Sequence, residues 1–350
     1  MKFIKIGNKK IHKNSNPFII AEAGINHNGE LKKALQMISI AKDAGVDAIK
    51  FQTYKTEQII TDNSLSYSYL SQGKKITESQ FELFKRCELS YDDFKIIKKK
   101  CVDKKIIFMS TPSNYSDVNL LKKLKISVIK IGSDDFTNIP LIKNVIKTKL
   151  PLIISCGMTN LDEIKMTLES ISTFKKNYPT ILMLTTSEYP TTAENVNLSK
   201  FITLTNHFPD LILGYSDHTQ NNIASSMAVA FGAKVFEKHF TISRKLPGPD
   251  HWFSLDSNDL KNWVDSIRIS HKSLGNYSLK PTKMEVKMKQ LSRKSLVAIK
   301  DINKNDLFDN SNVGIKRPGN GLEPINFLKI YGKKSKRKIL KDTKIKKTDF

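Results

Sequence analysis

From residue 17 to about residue 270, short runs of apolar and β-branched residues alternate with segments whose apolar residues recur at the period of an α-helix. The runs predict strands at residues 18–24, 46–52, 105–111, 127–133, 150–156, 180–186, 211–217 and 234–240. Most of them are apolar at successive positions, which is typical of parallel strands covered by helices on both faces. Eight such strand–helix units over roughly 250 residues predict a TIM (β/α)8 barrel.

A doubly wound open sheet is the alternative α/β architecture. It would carry a glycine-rich fingerprint after its first strand, but the chain reads AGINHNG there, and no Walker A segment occurs. The barrel is therefore the predicted fold. The connection at residues 53–77 is longer than usual and is expected to be a lid or substrate-covering loop over the barrel mouth.

The chain is predicted to divide into a catalytic barrel (residues 1–274), a linker (275–288) and a small strand-rich domain (289–350). Proline and glycine in the sequence RPGNG mark turns in the small domain. So short a unit buries little core by itself, so we expect it to dock against another surface.

Composition excludes several classes of protein. Hydrophobic residues make up 39% and charged residues 26%, as in globular proteins rather than fibrous or disordered ones. The cysteines, Cys87, Cys101 and Cys156, form no CxxC pair and are too few for a disulfide framework. No segment approaches the ~18 apolar residues of a membrane span, and the first residues lack the apolar core of a signal peptide. A cytoplasmic protein with no membrane partner is predicted.

The formal charge of +24, from 58 basic and 34 acidic residues, raises the alternative of a nucleic-acid-binding protein. Most of the excess charge is scattered along the chain, as on solvated surfaces. The densest cluster, residues 333–347, contains nine basic residues and one acidic residue but no interleaved aromatic residue. We therefore expect no nucleic-acid partner.

Polar residues end most of the predicted strands, and the carboxyl ends of the strands form the active site of a TIM barrel. Pairs such as Lys50 and Gln52 lie two residues apart, so both can face inward. The candidate residues are two lysines with several hydroxyl and amide side chains: Lys50, Gln52, Ser110, Thr111, Lys130, Ser133, Ser155 and Ser216. Lysines supply charge and hydroxyls supply directional hydrogen bonds, so this set predicts a site for a small phosphorylated anion. A purely structural role would bury Lys50 and Lys130 without a partner, which is costly.

His218 and His239 end neighbouring strands, with Glu22 and Glu237 close by. Two imidazoles and an oxygen ligand leave open positions on a divalent metal such as Mn or Mg. Two hydrogen-bonding histidines at the barrel rim are the structural alternative.

Lysine also allows Schiff-base chemistry, as in a barrel aldolase, and this alternative stays open for Lys50 and Lys130. Lys238 lies between two inward-facing residues and is therefore expected to point outward.

A series of motifs resembles, in order and spacing, the sialic acid synthase family: IIAEAGINHNG, DAIKFQTY, STPS, IKIGS, ISCGMTNLDEI, TSEYP, GYSDHT, GAKVFEKHFT and PGPDH. The tail, with KRPGNG, resembles the antifreeze-like (SAF) domain that follows the barrel in this family, so the resemblance covers nearly the whole chain. It implies a transferase of surface-polysaccharide biosynthesis that condenses phosphoenolpyruvate with an open-chain N-acetylmannosamine-type sugar, releases phosphate and uses Mn or Mg. Legionaminate and pseudaminate synthases, which use a 2,4-diacetamido-trideoxy hexose, stay open as alternatives to N-acetylneuraminate synthase.

The resemblance also implies roles for individual residues. For phosphoenolpyruvate the matching residues are Lys50, Gln52, Thr111, Lys130, Ser133, Ser155 and Ser216, and for the metal they are His218 and His239. Around the sugar and the reacting carbons they are Glu22, Tyr189, Glu237 and Asp250, with Glu22 or Glu237 as the catalytic carboxylate. Arg317 matches an arginine that reaches over the partner's barrel, which implies a domain-swapped homodimer.

Two local features concern the sugar and a carboxylate. Trp252 and Phe253, beside Asp250, either form an apolar wall suited to a 6-deoxy sugar or pack within their own loop. Relatives commonly carry a small residue and then Glu where this chain has Asp134 and Asp135.

Overall fold

The computed structural model describes residues 3–62 and 64–350, and the chain divides into two compact units, Met1–Gly275 and Asn276–Phe350. In these residues the strands are β1 (Ile4–Ile6), β2 (Lys9–Ile11), β3 (Phe18–Gly24), β4 (Ala48–Thr53), β5 (Ser66–Ser71), β6 (Lys74–Ser79), β7 (Ile107–Pro112), β8 (Ile129–Ile131), β9 (Leu152–Ser155), β10 (Thr180–Leu184), β11 (Ile212–Asp217), β12 (Val235–His239), β13 (Ser295–Ala298) and β14 (Val313–Lys316). The α-helices are α1 (Leu31–Asp43), α2 (Thr56–Ile59), α3 (Gln80–Cys87), α4 (Tyr91–Asp103), α5 (Tyr115–Lys123), α6 (Ile139–Lys147), α7 (Leu161–Phe174), α8 (Ala193–Val196), α9 (Lys200–His207), α10 (Ile223–Ala230), α11 (Ser257–Ser273), α12 (Lys283–Ser292) and α13 (Phe327–Ile330). Short 3-10 turns occupy Pro324–Asn326 and Lys347–Asp349.

The first unit is an eight-stranded parallel α/β barrel, which confirms the predicted fold. Each of the eight predicted strand segments overlaps one of its strands, and β4 and β7 run one residue beyond their segments. The order around the barrel is β7-β4-β3-β12-β11-β10-β9-β8, and β8 packs beside β7. All seven residues of β3 are buried, because one face meets the barrel interior and the other meets the helices.

The long helices around the barrel bury one apolar stripe each, as their period predicts. In α1 the buried stripe is Ala34, Met37, Ile38 and Ala41, and the chain then turns at Gly45, whose φ of +82° suits glycine. The amino end of α7 is fixed by a capping box between Asn160 and Glu163.

A small antiparallel hairpin, β1 and β2, closes the amino-terminal end of the barrel. Its Ile4, Ile6 and Ile11 are buried in the same apolar cluster as the interior residues Ile153 and Ile181. The opposite end of the barrel is therefore the open one.

The long connection after β4 folds into α2 and a second antiparallel hairpin, β5 and β6. The turn of this hairpin is tied to the loop after β12: Gln72 Nε2 donates to Lys245 O at 2.9 Å, and Gly248 N donates to Ser71 Oγ at 3.1 Å. Tyr67 of the hairpin lines the mouth cavity described below. The predicted covering loop is thus a tethered hairpin; Asn63, within that prediction, lies outside the described residues.

The second unit holds the small antiparallel pair of β13 and β14. Its separate core includes Leu296, Ile302, Phe308 and Ile339, all fully buried. Helix α12 begins inside the segment 275–288, for which a linker is predicted, and none of its side chains is buried. No helix among the described residues is both long and apolar enough to span a membrane.

Candidate active site

A cavity of about 510 Å³ opens at the carboxyl ends of the barrel strands. It brings together the polar residues predicted from the strand ends: Glu22, Lys50, Gln52, Thr111, Lys130, Ser133, Ser155, Ser216, His218, Glu237 and His239, with Tyr189 beside them. Ser110 is the exception, because its hydroxyl bonds Thr53 Oγ1 at 2.6 Å and Phe51 O at 3.0 Å within the core. The alternation of side chains along β7 turns Ser110 away from the face that carries Thr111.

The floor of the cavity is a buried quartet of two lysines and two glutamates. Lys50 Nζ lies 2.9 Å from Glu22 Oε1 and 3.7 Å from Glu237 Oε1, while Lys130 Nζ lies 3.6 Å from Glu237 Oε1. The sequence argument expected these lysines to be buried without a partner unless they bound an anion, and that expectation is wrong, because the two carboxylates pair with them. One further oxygen of each glutamate, Oε2, is buried without a hydrogen-bond partner in the described part of the chain. Each glutamate of the quartet therefore keeps one oxygen that can accept a hydrogen bond from a ligand.

The two carboxylates differ in their affinity for a proton. Burial raises the pKa of Glu22 to about 7, although Lys50 opposes the shift. Burial acts on Glu237 in the same direction, but Lys130 and Lys50 outweigh it and lower the pKa of Glu237 to about 2. One carboxyl can thus exchange a proton near neutral pH while the other stays ionised.

Hydroxyl groups surround the quartet. Lys50 Nζ donates to Thr111 Oγ1 at 3.1 Å, and Ser216 Oγ donates to Glu237 Oε1 at 3.3 Å. Ser133 Oγ accepts from Gly157 N at 3.0 Å, and Ser155 Oγ is buried with no partner in the described residues. A buried hydroxyl without a partner is costly unless something binds it, so Ser155 is available to a ligand.

His218 and His239 stand side by side at the mouth, with ring centroids 5.7 Å apart. His218 Nδ1 donates to Thr186 O at 2.7 Å, which leaves its Nε2 lone pair free. His239 Nδ1 is buried without a hydrogen-bond partner among the residues described, and Asp250 Oδ2 is 3.8 Å away. Burial lowers the pKa of both histidines, to about 4 for His218, so both are neutral, which is the form that binds metals.

The two histidines fit a divalent cation as nitrogen donors. Thr186 O orients the His218 ring and leaves its Nε2 free, and His239 Nδ1 has no hydrogen-bond partner among the described residues. In residues 3–62 and 64–350, no cluster of three or more His, Cys, Asp or Glu side chains could hold a metal ion. A metal at this mouth would have the two imidazoles as its protein donors.

Aromatic side chains form one wall of the mouth. The Tyr189 ring packs 4.2 Å from the His218 ring and 5.5 Å from the Phe253 ring, measured between centroids. A smaller cavity of about 270 Å³ lies beside the mouth. Its lining is mostly aromatic or apolar but includes two polar side chains: Tyr67, Ser68, Tyr69, Leu70, Lys75, Tyr189, Pro249, Trp252 and Phe253. Tyr67 and Tyr189 line both cavities, so the two spaces adjoin. The sequence analysis named Trp252, Phe253 and Tyr189 but missed the tyrosines of the hairpin, which no motif marked.

Other predicted residues lie apart from the floor. Asp250 approaches His239 only at the 3.8 Å distance given above, and Arg317 is exposed in the second unit, where its Nε donates to Ser292 O at 3.1 Å. Asp134 lines the mouth, whereas Asp135 accepts a hydrogen bond from Asn138 Nδ2 at 2.8 Å.

Behind the mouth lies a polar network that the sequence analysis did not find. Lys238 points outward as expected, and its Nζ lies 2.9 Å from the fully buried Asp217 Oδ2. Asp217 also accepts from Thr219 N at 2.9 Å and from Ser225 Oγ at 2.5 Å. Trp263 Nε1 donates to the same Ser225 hydroxyl at 2.8 Å. The network fixes the turn that presents His218.

Comparison with known proteins agrees with this geometry. Residues 37–278 match the NeuB family and residues 293–350 match the SAF domain. The chain is 36% identical to the N,N'-diacetyllegionaminic acid synthase of Legionella pneumophila, over 90% of this chain and 89% of that protein. It is 38% identical to the N,N'-diacetyllegionaminic acid synthase of Campylobacter jejuni, over 94% of this chain and 98% of that protein. The crystal structure of N-acetylneuraminic acid (sialic acid) synthetase from Leptospira borgpetersenii in complex with citrate has a TM-score of 0.73 at 34% identity, covering 82% of this chain and 94% of that one. The chain therefore belongs to the NeuB family of phosphoenolpyruvate-dependent nonulosonic acid synthases, with a C-terminal SAF domain.

Proposed function

We propose that this enzyme condenses phosphoenolpyruvate with 2,4-diacetamido-2,4,6-trideoxymannose, releases phosphate and so forms a legionaminate-type nonulosonic acid. The buried quartet of Lys50, Lys130, Glu22 and Glu237 beneath the histidine pair carries the reaction class. The aromatic wall supports the choice of sugar.

Phosphoenolpyruvate carries a phosphate and a carboxylate, and the floor of the mouth supplies matching groups. Lys50 and Lys130 provide the two cations, and the unpartnered Ser155 hydroxyl supplies a directional donor. We assign the remaining phosphoenolpyruvate contacts to Gln52, Thr111, Ser133 and Ser216, which line the same cavity.

The reaction forms one carbon–carbon bond, between the phosphoenolpyruvate methylene and the sugar aldehyde carbon. Water then adds to carbon two, and the tetrahedral intermediate expels inorganic phosphate to leave the keto acid. We assign removal of the water proton to Glu22, because its pKa of about 7 suits a group that exchanges protons at neutral pH. Glu237, which stays ionised, faces the cationic carbon and stabilises it.

His218 and His239 would hold Mn or Mg, which when bound supplies Lewis acidity toward a carbonyl oxygen. The two rings are held in place by Thr186 O and by packing against Tyr189. We assign the sugar aldehyde to the side of the mouth that carries these two imidazoles.

The sugar assignment rests on the aromatic wall. A 6-deoxy sugar with a second acetamido group presents methyl groups where N-acetylmannosamine presents hydroxyls. Apolar side chains such as Trp252 and Phe253 stabilise methyl groups and leave hydroxyls without hydrogen bonds. Legionaminic acid synthases stand among the similar relatives, in keeping with this assignment.

A Schiff-base mechanism is less consistent with Lys50 than with Lys130. Such a lysine must lose its proton, and the paired glutamates raise the pKa of Lys50 despite its burial. Burial lowers the pKa of Lys130, so borohydride trapping tests Lys130 in particular. We also propose a domain-swapped homodimer in which Arg317 completes the sugar site of the partner. Its exposure in the second unit, with Ile325 and Leu328 also exposed nearby in sequence, supports a contact surface there.

The test is phosphate release from phosphoenolpyruvate with Mn, measured in parallel with the two candidate sugars. Release with 2,4-diacetamido-2,4,6-trideoxymannose and little with N-acetylmannosamine is expected. The reverse preference would identify an N-acetylneuraminate synthase, and release with neither would direct the assay to the pseudaminate precursor. Activity that survives a chelator and is trapped by borohydride would instead support the Schiff-base mechanism.

A further inference from the structure

A second cavity, of about 600 Å³, lies at the closed end of the barrel. The β1–β2 hairpin, the turn before β3 and the last turn of α11 line it. Phe18, the first residue of β3, belongs to this cavity, while Glu22 belongs to the mouth. Four residues of strand separate them by about 13 Å, so the two cavities are distinct.

The lining of this cavity is strongly basic. It contains the cations Lys9, Lys10, Arg268 and Lys272, but Asp47 is its single carboxylate. Asp47 already pairs with Lys9 at 2.8 Å and with Arg268 at 2.7 Å, and it accepts from a backbone N–H. Lys272 has no carboxylate partner in the described parts of the chain. Lys10 has none there either, and its Nζ lies over the Phe3 ring, 5.0 Å from the centroid. The cavity thus retains three more positive than negative charges.

Neighbouring groups do not relieve this positive potential. His271 lines the cavity, and its Nδ1 is buried without a hydrogen-bond partner among the described residues. Burial, and then the charges of Lys234 and Arg268, lower the pKa of His271. Lys10 also faces Lys5 directly across the hairpin, an arrangement that disfavours folding. Like charges that converge on a concave space are stabilised when an anion occupies it.

We propose that this cavity is a second binding site, separate from the catalytic mouth, for the diphosphate group of a small molecule. A singly charged anion would leave most of the excess charge uncompensated, whereas a diphosphate matches it. The volume lies within the roughly 300–1,000 Å³ of small-molecule sites. The concave shape favours a compact ligand over the backbone of a nucleic acid, which binds along an open basic surface.

Isothermal titration of the full chain with inorganic pyrophosphate, at low salt and with phosphoenolpyruvate saturating the mouth, tests this site. One equivalent should bind to the wild type, and the double variant Lys10→Glu/Lys272→Glu should lose about tenfold or more in affinity, the effect of losing a charge-assisted hydrogen bond. The matched control is Lys99→Glu/Lys261→Glu, which makes the same charge change at exposed helix positions with no ion-pair partner in the described residues. It should bind within about twofold of the wild type, because it lies outside the cavity.

Lys10→Glu places opposite charges across the hairpin, so the variant should fold, and circular dichroism will verify it. Its turnover should equal that of the wild type, because neither residue lines the mouth. Adenosine diphosphate forms a second arm: tighter binding than pyrophosphate assigns the site to a nucleotide, and equal affinity assigns it to free pyrophosphate. The proposal is overturned if the wild type binds no pyrophosphate, or if the control loses as much affinity as the cavity variant.

Discussion

Asp217→Asn should destabilise the barrel far more than an isosteric change normally does. Asp217 is 0% exposed and Lys238 is 2% exposed, and their charged atoms lie 2.9 Å apart. Without the carboxylate, Lys238 keeps only Thr219 Oγ1 at 3.2 Å and Asn221 O at 2.9 Å as partners. Removing one member of a buried ion pair costs about 3–5 kcal/mol, because the other charge stays buried.

Other variants of the Asp217–Lys238 pair should differ in stability from Asp217→Asn. Lys238→Met should cost less, because Asp217 keeps the donors of Thr219 and Ser225. The double variant Asp217→Asn/Lys238→Met should be more stable than Asp217→Asn alone, since no unpaired charge then remains. Asp265→Asn, an exposed change of the same chemistry, should stay within about 0.5 kcal/mol of the wild type.

Thermal unfolding followed by circular dichroism measures these differences, and Asp217→Asn should lower the Tm of the barrel transition by roughly 10 °C. The turn that carries His218 should loosen as well, because Asp217 accepts from Thr219 N. A Tm for Asp217→Asn equal to that of Asp265→Asn would refute the buried-pair argument. So would a double variant whose loss equals the sum of the two single losses.

Three predictions concern the mouth. His218→Ala or His239→Ala should abolish Mn-dependent phosphate release while circular dichroism stays unchanged; near-normal activity in either would remove that residue from the metal site. Glu22→Gln should lower kcat by about 10²–10⁴, the usual contribution of a general base, with a smaller effect on the KM for phosphoenolpyruvate; an unchanged kcat would assign the proton to another group. Arg317→Ala should raise the KM for the sugar more than that for phosphoenolpyruvate, and equal increases in steady-state assays would argue against its role over the partner's mouth.

The number and kind of barrel elements could be read from the sequence because their signals are local. A buried strand such as FIIAEAG needs apolar residues on both faces, and a helix such as α1 needs them every three to four residues. The period of two also placed Lys50 with Gln52, and Glu237 with His239, on the inner face. The same period puts Ser110 and Thr111 on opposite faces of β7, so Ser110 should not have been predicted as a site residue together with Thr111.

Tertiary structure alone decided which of these residues touch. Closure of the barrel brings Glu22 and Glu237, more than 200 residues apart in the chain, to either side of Lys50, and their distances set which carboxyl holds a proton near neutral pH. The same closure buries the Asp217–Lys238 pair and forms a cavity whose lining includes Lys10 and Lys272, which have no carboxylate partners in the described residues. Periodicity fixes where a side chain points relative to its own backbone, whereas pairing and charge balance depend on distances between elements, which only the packed barrel defines.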